Sequence, residues 1–351
     1  MLELNRLQQK IIEVLLEKDA LSSSDIHTAI KHRGEDRALV TVKRSLSAMV
    51  KERAITVSGA GPATSYTISP LGRLFADIDT KQYVAIEPDK RWGLAQYNFE
   101  LIPAIENTLL SKGELKILEE ATAEYHKRTQ RLSPAIQKKE LERLVVELSW
   151  KSSKIEGNTY TLLDTEKLIL EGKKASGHPK SEAMMILNHK DAFMFVRQHA
   201  NEFQTLTRDN LEKIHKIIVK DLDVESGLRS KPVGILGSKY QPLDNVYQIG
   251  EAVDDLSDAV SRMRTPYEKA LVALLGISYI QPFEDGNKRT SRLMANAILL
   301  AHNRAPLSYR SVDEEEYRTA LLTFYELNSL VAFKQIFVSQ YDFAARNYTV
   351  R

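Results

Sequence analysis

Between Glu284 and Arg292 the chain reads EDGNKRTSR, and these are the side-chain types that handle phosphate. Asp285 offers the hard carboxylate oxygen that a phosphate-bound Mg²⁺ takes, because that ion is usually held by one or two carboxylates plus substrate oxygens. Gly286 and Asn287 permit a turn in which successive backbone N–H groups converge. The start of a following helix adds free donors and the positive end of its dipole. Lys288, Arg289 and Arg292 supply cations for several phosphates, with Arg292 three residues beyond Arg289 on one helical face. A capped and solvated helix start accounts for the same composition, and composition leaves both readings open. The spacing is not the Walker pattern, which needs Gly-Lys-Ser/Thr after a strand.

The elements on either side of this stretch must hold it. Leu271 to Ile280, LVALLGISYI, is strongly apolar and ends at Gln281-Pro282-Phe283, and helical periodicity resumes with Leu293, Met294, Ala297, Ile298 and Leu300. The expected geometry is helix, tight loop, helix. A second carboxylate stands out upstream. Leu141, Leu144, Val145, Leu148 and Ile155 recur at helical spacing until Gly157-Asn158 stops the helix, which places Glu156 at a helix C-terminus. The dipole there disfavours added negative charge, so a carboxylate in that position calls for a cationic partner. A solvated Glu before a glycine stop is the plain alternative.

The first 75 residues divide into three periodic helical runs and two short β-rich runs around Gly59-Ala60-Gly61-Pro62, the pattern of a winged helix-turn-helix. They hold 11 Lys/Arg against 8 Asp/Glu, with Arg33, Arg37, Lys43, Arg44, Lys51 and Arg53 around the third helix. Duplex DNA bound through Lys43, Arg44 and the wing, or a docking role, both suit this footprint. Residues 79–132 read as a helical connector packed on the second domain, with Trp92, Tyr97 and Phe99 as buried anchors. Across 351 residues, 43% hydrophobic and 27% charged composition fits a globular chain, and a net charge of +2 gives no global reason to invoke nucleic acid. The absence of cysteine excludes disulfides, thiol catalysis and cysteine-ligated metals. Neither a signal peptide nor an apolar run of ~18 residues is present, so a cytoplasmic protein without membrane contact is expected.

QPFEDGNKRTSR, residues 281–292, resembles the signature of the Fic family, His-Pro-Phe-x-Asp/Glu-Gly-Asn-Gly-Arg-x-x-Arg. Two positions depart from it: Gln281 stands in place of the His and Lys288 in place of the second Gly. The resemblance extends over about residues 133–343. SKIEGNTYTL is similar to the segment bearing the family's inhibitory motif, with Ser152, Glu156 and Gly157 matching. His215, Gly227, Arg229 and Val233 to Tyr240 fall in step with the helix and β-hairpin flap that precede the signature, and Tyr317 with the aromatic residue that lines the adenine pocket.

The pattern of the first residues sets a winged helix domain over 1–78 followed by the connector, and the resemblance implies a helical Fic domain over 133–345 with a short β-hairpin flap and an inhibitory helix at about 140–157, so a mainly α protein is expected. The resemblance also implies ATP and Mg²⁺, with transfer of AMP to a hydroxyl of a target protein. Asp285 would hold the metal, Gly286, Asn287 and Lys288 would cradle phosphates, and Arg289 and Arg292 would contact phosphate oxygens. Val233 belongs to the flap, residues 233–240, on which the target would dock, and Tyr317 to the nucleotide pocket. Glu156 would inhibit by pairing with Arg292. Gln281 cannot serve as the family's His does, because a primary amide has no usable basicity near neutral pH. A degenerate nucleotide-binding regulator is therefore an alternative to a weakened AMP transferase. Gly-Asn-Lys-Arg also resembles the loop of Doc-type toxins, which transfer phosphate, although those loops lack the second Arg kept here as Arg292. A homodimer stays open.

Overall fold

The first helix starts where Asn5 can cap it: the Asn5 side chain accepts the Gln8 amide and the Gln8 side chain accepts the Asn5 amide. From there the computed structural model, which describes residues 2–130 and 132–349, builds two units. One comprises Met1–Ile105, Gly234–Gln241 and Glu315–Gln335, and the other Glu106–Val233, Pro242–Glu314 and Ile336–Arg351.

The N-terminal unit opens with helices α1 (Arg6–Glu17), α2 (Ser23–His32) and α3 (Leu39–Lys51), then antiparallel strands β1 (Ile55–Ser58) and β2 (Ser65–Ile68). Ile55 lies opposite Ile68 and Ser58 opposite Ser65. Ile11, Ile12 and Leu15 of α1, Ile26 and Ile30 of α2, and Val42, Leu46 and Met49 of α3 bury together over Ile55. Their spacing by three and four residues gives each helix one apolar stripe, and each such side chain contributes ~1.5–3 kcal/mol on leaving water. The hairpin turn depends on Gly59, whose φ is +73° and where a Cβ would sit 2.2 Å from the Ala63 carbonyl oxygen. Short helices α4 (Pro70–Leu74), α5 (Thr80–Ala85) and α6 (Leu101–Ala104) follow.

The second unit holds α7 (Lys112–Thr129), α8 (Pro134–Ile155), α9 (Leu162–Glu171), α10 (Lys180–Gln198), α11 (Arg208–Ile218), α12 (Val246–Arg262), α13 (Pro266–Ile280) and α14 (Asn287–Ala301). Helix α13 is apolar all round, and every residue from Leu271 to Ile280 is buried, as a central helix requires. Gly276 allows the approach of α12, since a Cβ there would meet Leu256 at 2.2 Å. The chain continues through α15 (Glu314–Leu327) and ends with α16 (Val331–Asn347). No helix among the described residues is long and apolar enough to cross a membrane.

Two expectations require correction. The connector over 79–132 is not one element: 79–105 belongs to the N-terminal unit, where Trp92 packs on the α1–α3 core, and α7 belongs to the other. Within it Phe99 is 56% exposed and anchors nothing in the core. The flap over 233–240 carries no strand pairing. Pro232 removes a ladder donor, Gly237 takes φ +78°, and one parallel bridge joins Gln241 to Gln96.

What holds residues 237–240 in the N-terminal unit is a buried carboxylate. Glu326 of α15, fully buried, accepts from Arg91 Nη1 at 2.9 Å, Ser238 Oγ at 2.7 Å and Tyr83 Oη at 2.7 Å. Burial and the neighbouring Glu326 carboxylate push the Tyr83 phenol far above its usual pKa, so it remains a donor. Removing one partner of a buried ion pair strands the other charge, so Glu326→Ala is expected to destabilise this unit by ~3–5 kcal/mol in denaturant unfolding. A loss below ~1 kcal/mol, the scale of an exposed pair, would refute the role given to Glu326.

Candidate functional site

The site grows out of the junction between α13 and α14. Helix α13 ends at Gln281, whose φ of 51° and ψ of 59° turn the chain into the left-handed region. Gly286, at φ 78°, caps α14, and a Cβ there would lie 3.1 Å from Ile218 and 3.3 Å from Val219. Asn287 fastens the loop internally, with its Oδ1 accepting the Phe283 amide and its Nδ2 donating to the Phe283 carbonyl, both at 2.8 Å. Its side chain is thus spent on the loop, leaving the backbone N–H groups at the start of α14 as the loop's donors.

His215 of α11 supports the same loop from beneath. Its ring stacks flat on Phe283 at 3.7 Å and 4°, and Nε2 donates to the Asp285 carbonyl at 3.0 Å. Burial pushes its pKa down to about 4, against a partial lift from the Asp285 hydrogen bond. It is a neutral, buried prop, not a base reaching a substrate.

Four charged groups line up above the loop. Arg292 is fully buried, donating from Nε to Ser152 Oγ and from Nη2 to the Ser152 carbonyl, each at 2.8 Å. Its Nη2 also lies 2.9 Å from Glu156 Oε1, and Lys288 Nζ lies 3.3 Å from Glu156 Oε2. The two carboxylate oxygens therefore face two different cations. Burial raises the Glu156 pKa, but Arg292, Lys288 and Arg289 together outweigh it and hold the group below the usual carboxylate range. Glu156 caps α8, and the glycine that stops the helix, Gly157, has φ 92°. The cationic partner that the helix dipole calls for is present twice over.

Arg289, 2% exposed, reaches Asp285 Oδ2 at 3.0 Å with Nη2, while its buried Nη1 has no hydrogen-bond partner among the described residues. A buried guanidinium nitrogen left without an acceptor fits an anion that the protein itself does not supply. The Asp285 carboxylate is 63% exposed and open to a cation. Among the described residues no group of three or more His, Asp or Glu side chains could hold a metal ion, so a metal on Asp285 would draw its other ligands from phosphate and water.

Gln281 is 7% exposed, and its Nε2 donates to the Ser278 carbonyl of its own helix at 2.6 Å. Its own carbonyl accepts Arg229 Nε at 2.7 Å, and the Arg229 amide donates to Pro282 at 3.0 Å. The residues expected at the site, Ser152, Glu156, Gly157, Gln281, Asp285, Gly286, Asn287, Lys288, Arg289 and Arg292, all fall in the second unit, as does half-buried Val233. Tyr317 belongs to the N-terminal unit, 1% exposed and edge-on to Phe333 at 5.1 Å. Sequence reasoning missed the bond from Lys288 to Glu156, because nothing in local spacing connects residues 132 positions apart. It also missed His189 of α10, which is fully buried with neither ring nitrogen bonded among the described residues.

Residues 205–299 match the Fic/DOC family. The chain is 27% identical over 173 residues to the protein adenylyltransferase fic-1 of Caenorhabditis briggsae, covering 48% of this chain and 34% of that one. It is 28% identical over 170 residues to the protein adenylyltransferase Fic of Nematostella vectensis, covering 47% and 40%. The match thus spans well under half the length of these relatives. Among solved structures, a Fic domain containing signalling protein from Bacteroides thetaiotaomicron superposes with a TM-score of 0.55 at 21% identity, over 65% of this chain and 94% of that one. Fic-1 of Caenorhabditis elegans superposes with a TM-score of 0.56 at 19% identity, over 67% and 71%. The fold is that of Fic structures.

Burial, then the positive charges of Arg292 and Arg289, push the His189 pKa well below its usual value. Unfolding therefore takes up a proton at this residue once pH falls below ~6.5, and stability drops with pH from there. The acid limb of a plot of unfolding free energy against pH should become shallower in His189→Asn, by at most the ~1.4 kcal/mol per pH unit that one proton carries. An acid limb as steep as the parent's would show that His189 does not contribute.

Proposed function

We propose that this protein binds ATP over the α13–α14 loop in the manner of a Fic-type AMP transferase, that Glu156 holds it closed, and that Gln281 limits its chemistry. The observation that carries the reading is Glu156 seated between Arg292 and Lys288 with Arg289 alongside: four charged groups arranged so that a carboxylate fills a place suited to phosphate. Arg292 and Arg289 would take phosphate oxygens once Glu156 withdraws, and the amides at the start of α14 would complete the cradle. Mg²⁺ on Asp285 would neutralise phosphate charge. The segment 233–240 would dock the target, and its Leu236 is 89% exposed.

In the proposed transfer a target hydroxyl oxygen bonds to the α-phosphorus of ATP, the bond from that phosphorus to the oxygen bridging the β-phosphate breaks, and pyrophosphate leaves. The hydroxyl proton needs an acceptor. The Gln281 amide is not basic, and its Nε2 is turned onto Ser278, so the general-base contribution of ~10²–10⁴-fold is missing from this position. That same hydrogen bond favours a second reading, a nucleotide-binding regulator without transfer activity. Transfer of the γ-phosphate, to which a Lys288 released from Glu156 would add charge, is the third.

Glu156→Gly is expected to raise ATP affinity about tenfold, the equivalent of ~1.4 kcal/mol, by titration calorimetry. Unchanged affinity would remove the inhibitory assignment. Arg292→Ala should bind ATP more weakly than the parent, and equal binding would refute its phosphate contact. The reaction is tested with Glu156→Gly, with and without Gln281→His, given Mg²⁺ and ATP labelled separately at the α and γ positions. Label from the α position in Glu156→Gly alone establishes AMP transfer with Gln281 in place, and label from the γ position establishes phosphate transfer. Label only after Gln281→His establishes the regulator, and no label in any form refutes the transferase reading.

A further inference from the structure

The cations of the N-terminal unit are not equivalent. Arg33 pairs with Glu17 and Glu13, Arg37 and Arg6 with Glu35, Lys31 with Asp36, and Lys10 with Glu13. Lys43, Arg44 and Lys51 of α3 pair with no carboxylate among the described residues. The exposed face of α3 carries Val40, Thr41, Lys43, Arg44, Ser47 and Lys51, at helical spacing and without an acid. Val40 is 57% exposed and Val57, on β1, is 48% exposed.

We propose that this face of α3 binds duplex DNA by lying in the major groove, with the β1–β2 hairpin against the adjacent backbone. A helix of 13 residues is ~20 Å long and fits a groove ~12 Å wide. Arg44, Thr41 and Ser47 are of the types that read base edges, and Val40 is of a type that touches a thymine methyl. Lys43 and Lys51 would meet phosphates. A protein partner is the weaker match, because protein interfaces are enriched in aromatic residues and Met and depleted in Lys and Ser, and this face has neither aromatic nor Met. The hairpin tip, Gly59 to Ala63, is uncharged, so its contribution would come from backbone N–H groups and the exposed hydroxyls of Thr56 and Ser58.

Three unpaired cations set the scale of the salt dependence. Fluorescence anisotropy of the full chain with a labelled duplex of ~30 base pairs should give binding whose log–log slope against salt is about −3, at −0.9 per neutralised phosphate. Lys43→Glu/Arg44→Glu should weaken binding at least tenfold and cut the slope by about 2. Lys116→Glu/Lys138→Glu makes the same change in net charge on α7 and α8 and should leave affinity within twofold. Selection from a random duplex library should enrich a sequence with the parent and lose the enrichment with Thr41→Ala/Ser47→Ala. No binding at ~20 mM salt overturns the proposal and leaves the face to a protein partner. Equal loss in the two charge-reversed pairs also overturns it, by reducing the effect to net charge. Neither result depends on ATP or on Glu156, so it stands or falls apart from the reading of the second unit.

Discussion

A fully buried guanidinium needs partners to offset its desolvation, and Arg292 is the residue around which the second unit is arranged. Its fork takes Ser152 through both hydroxyl and carbonyl and Glu156 through a carboxylate oxygen, so the last turn of α8 is held against the second turn of α14. Taking such a charge from water costs several kcal/mol, and only a dense set of partners repays it. The carboxylate also has a second cation, Lys288, on its other oxygen. Lys288, which in the proposed ATP complex would add charge beside a phosphate, is engaged here with that carboxylate. The resting arrangement is therefore more tightly charge-matched than one Arg and one Glu would make it.

The loop beneath is rigid for reasons unconnected with charge. Asn287 bonds both backbone groups of Phe283, His215 stacks on the Phe283 ring and bonds the next turn, and Gly286 admits no Cβ without crowding Ile218 and Val219. These contacts fix where the α14 amides point. Burial suppresses the charged form of the histidine nearest the loop, and its Nε2 proton is committed to a carbonyl. In the proposed reading, a rigid anion site without a base would bind better than it transfers protons, and that is the physical content of the choice between the proposed transferase and the proposed regulator.

The N-terminal unit follows a different logic. Glu13, Glu17, Glu35 and Asp36 are spent on Arg6, Lys10, Lys31, Arg33 and Arg37, and this leaves the α3 face positive although the whole chain is nearly neutral. Local pairing, not net charge, decides which surface carries a field. Elsewhere in the same unit, the Glu326 and Arg91 pair joins residues 83–91, 237–239 and α15, three stretches far apart in sequence.

Much was legible in order of residues alone. The apolar run 271–280, the glycine stop after Glu156 and the three-helix-plus-hairpin pattern are local signals, and helices α13, α8 and α1–α3 lie where periodicity and caps put them. The need of Glu156 for a cation was also legible, because a helix C-terminus repels negative charge whatever surrounds it. The resemblance alone pointed to Arg292, and nothing in the sequence pointed to Lys288. Residues 156, 288 and 292 meet only when α8 packs near α14, and the burial that makes their charges matter is a property of the whole unit. The same holds for the segment 233–240, whose composition allowed a hairpin but which carries no strand pairing; the bridge of Gln241 with Gln96 lies just beyond it. Short-range sterics and dipoles act along the chain and can be read from it. Desolvation and ion pairing act across space, and only the tertiary structure assigns their partners.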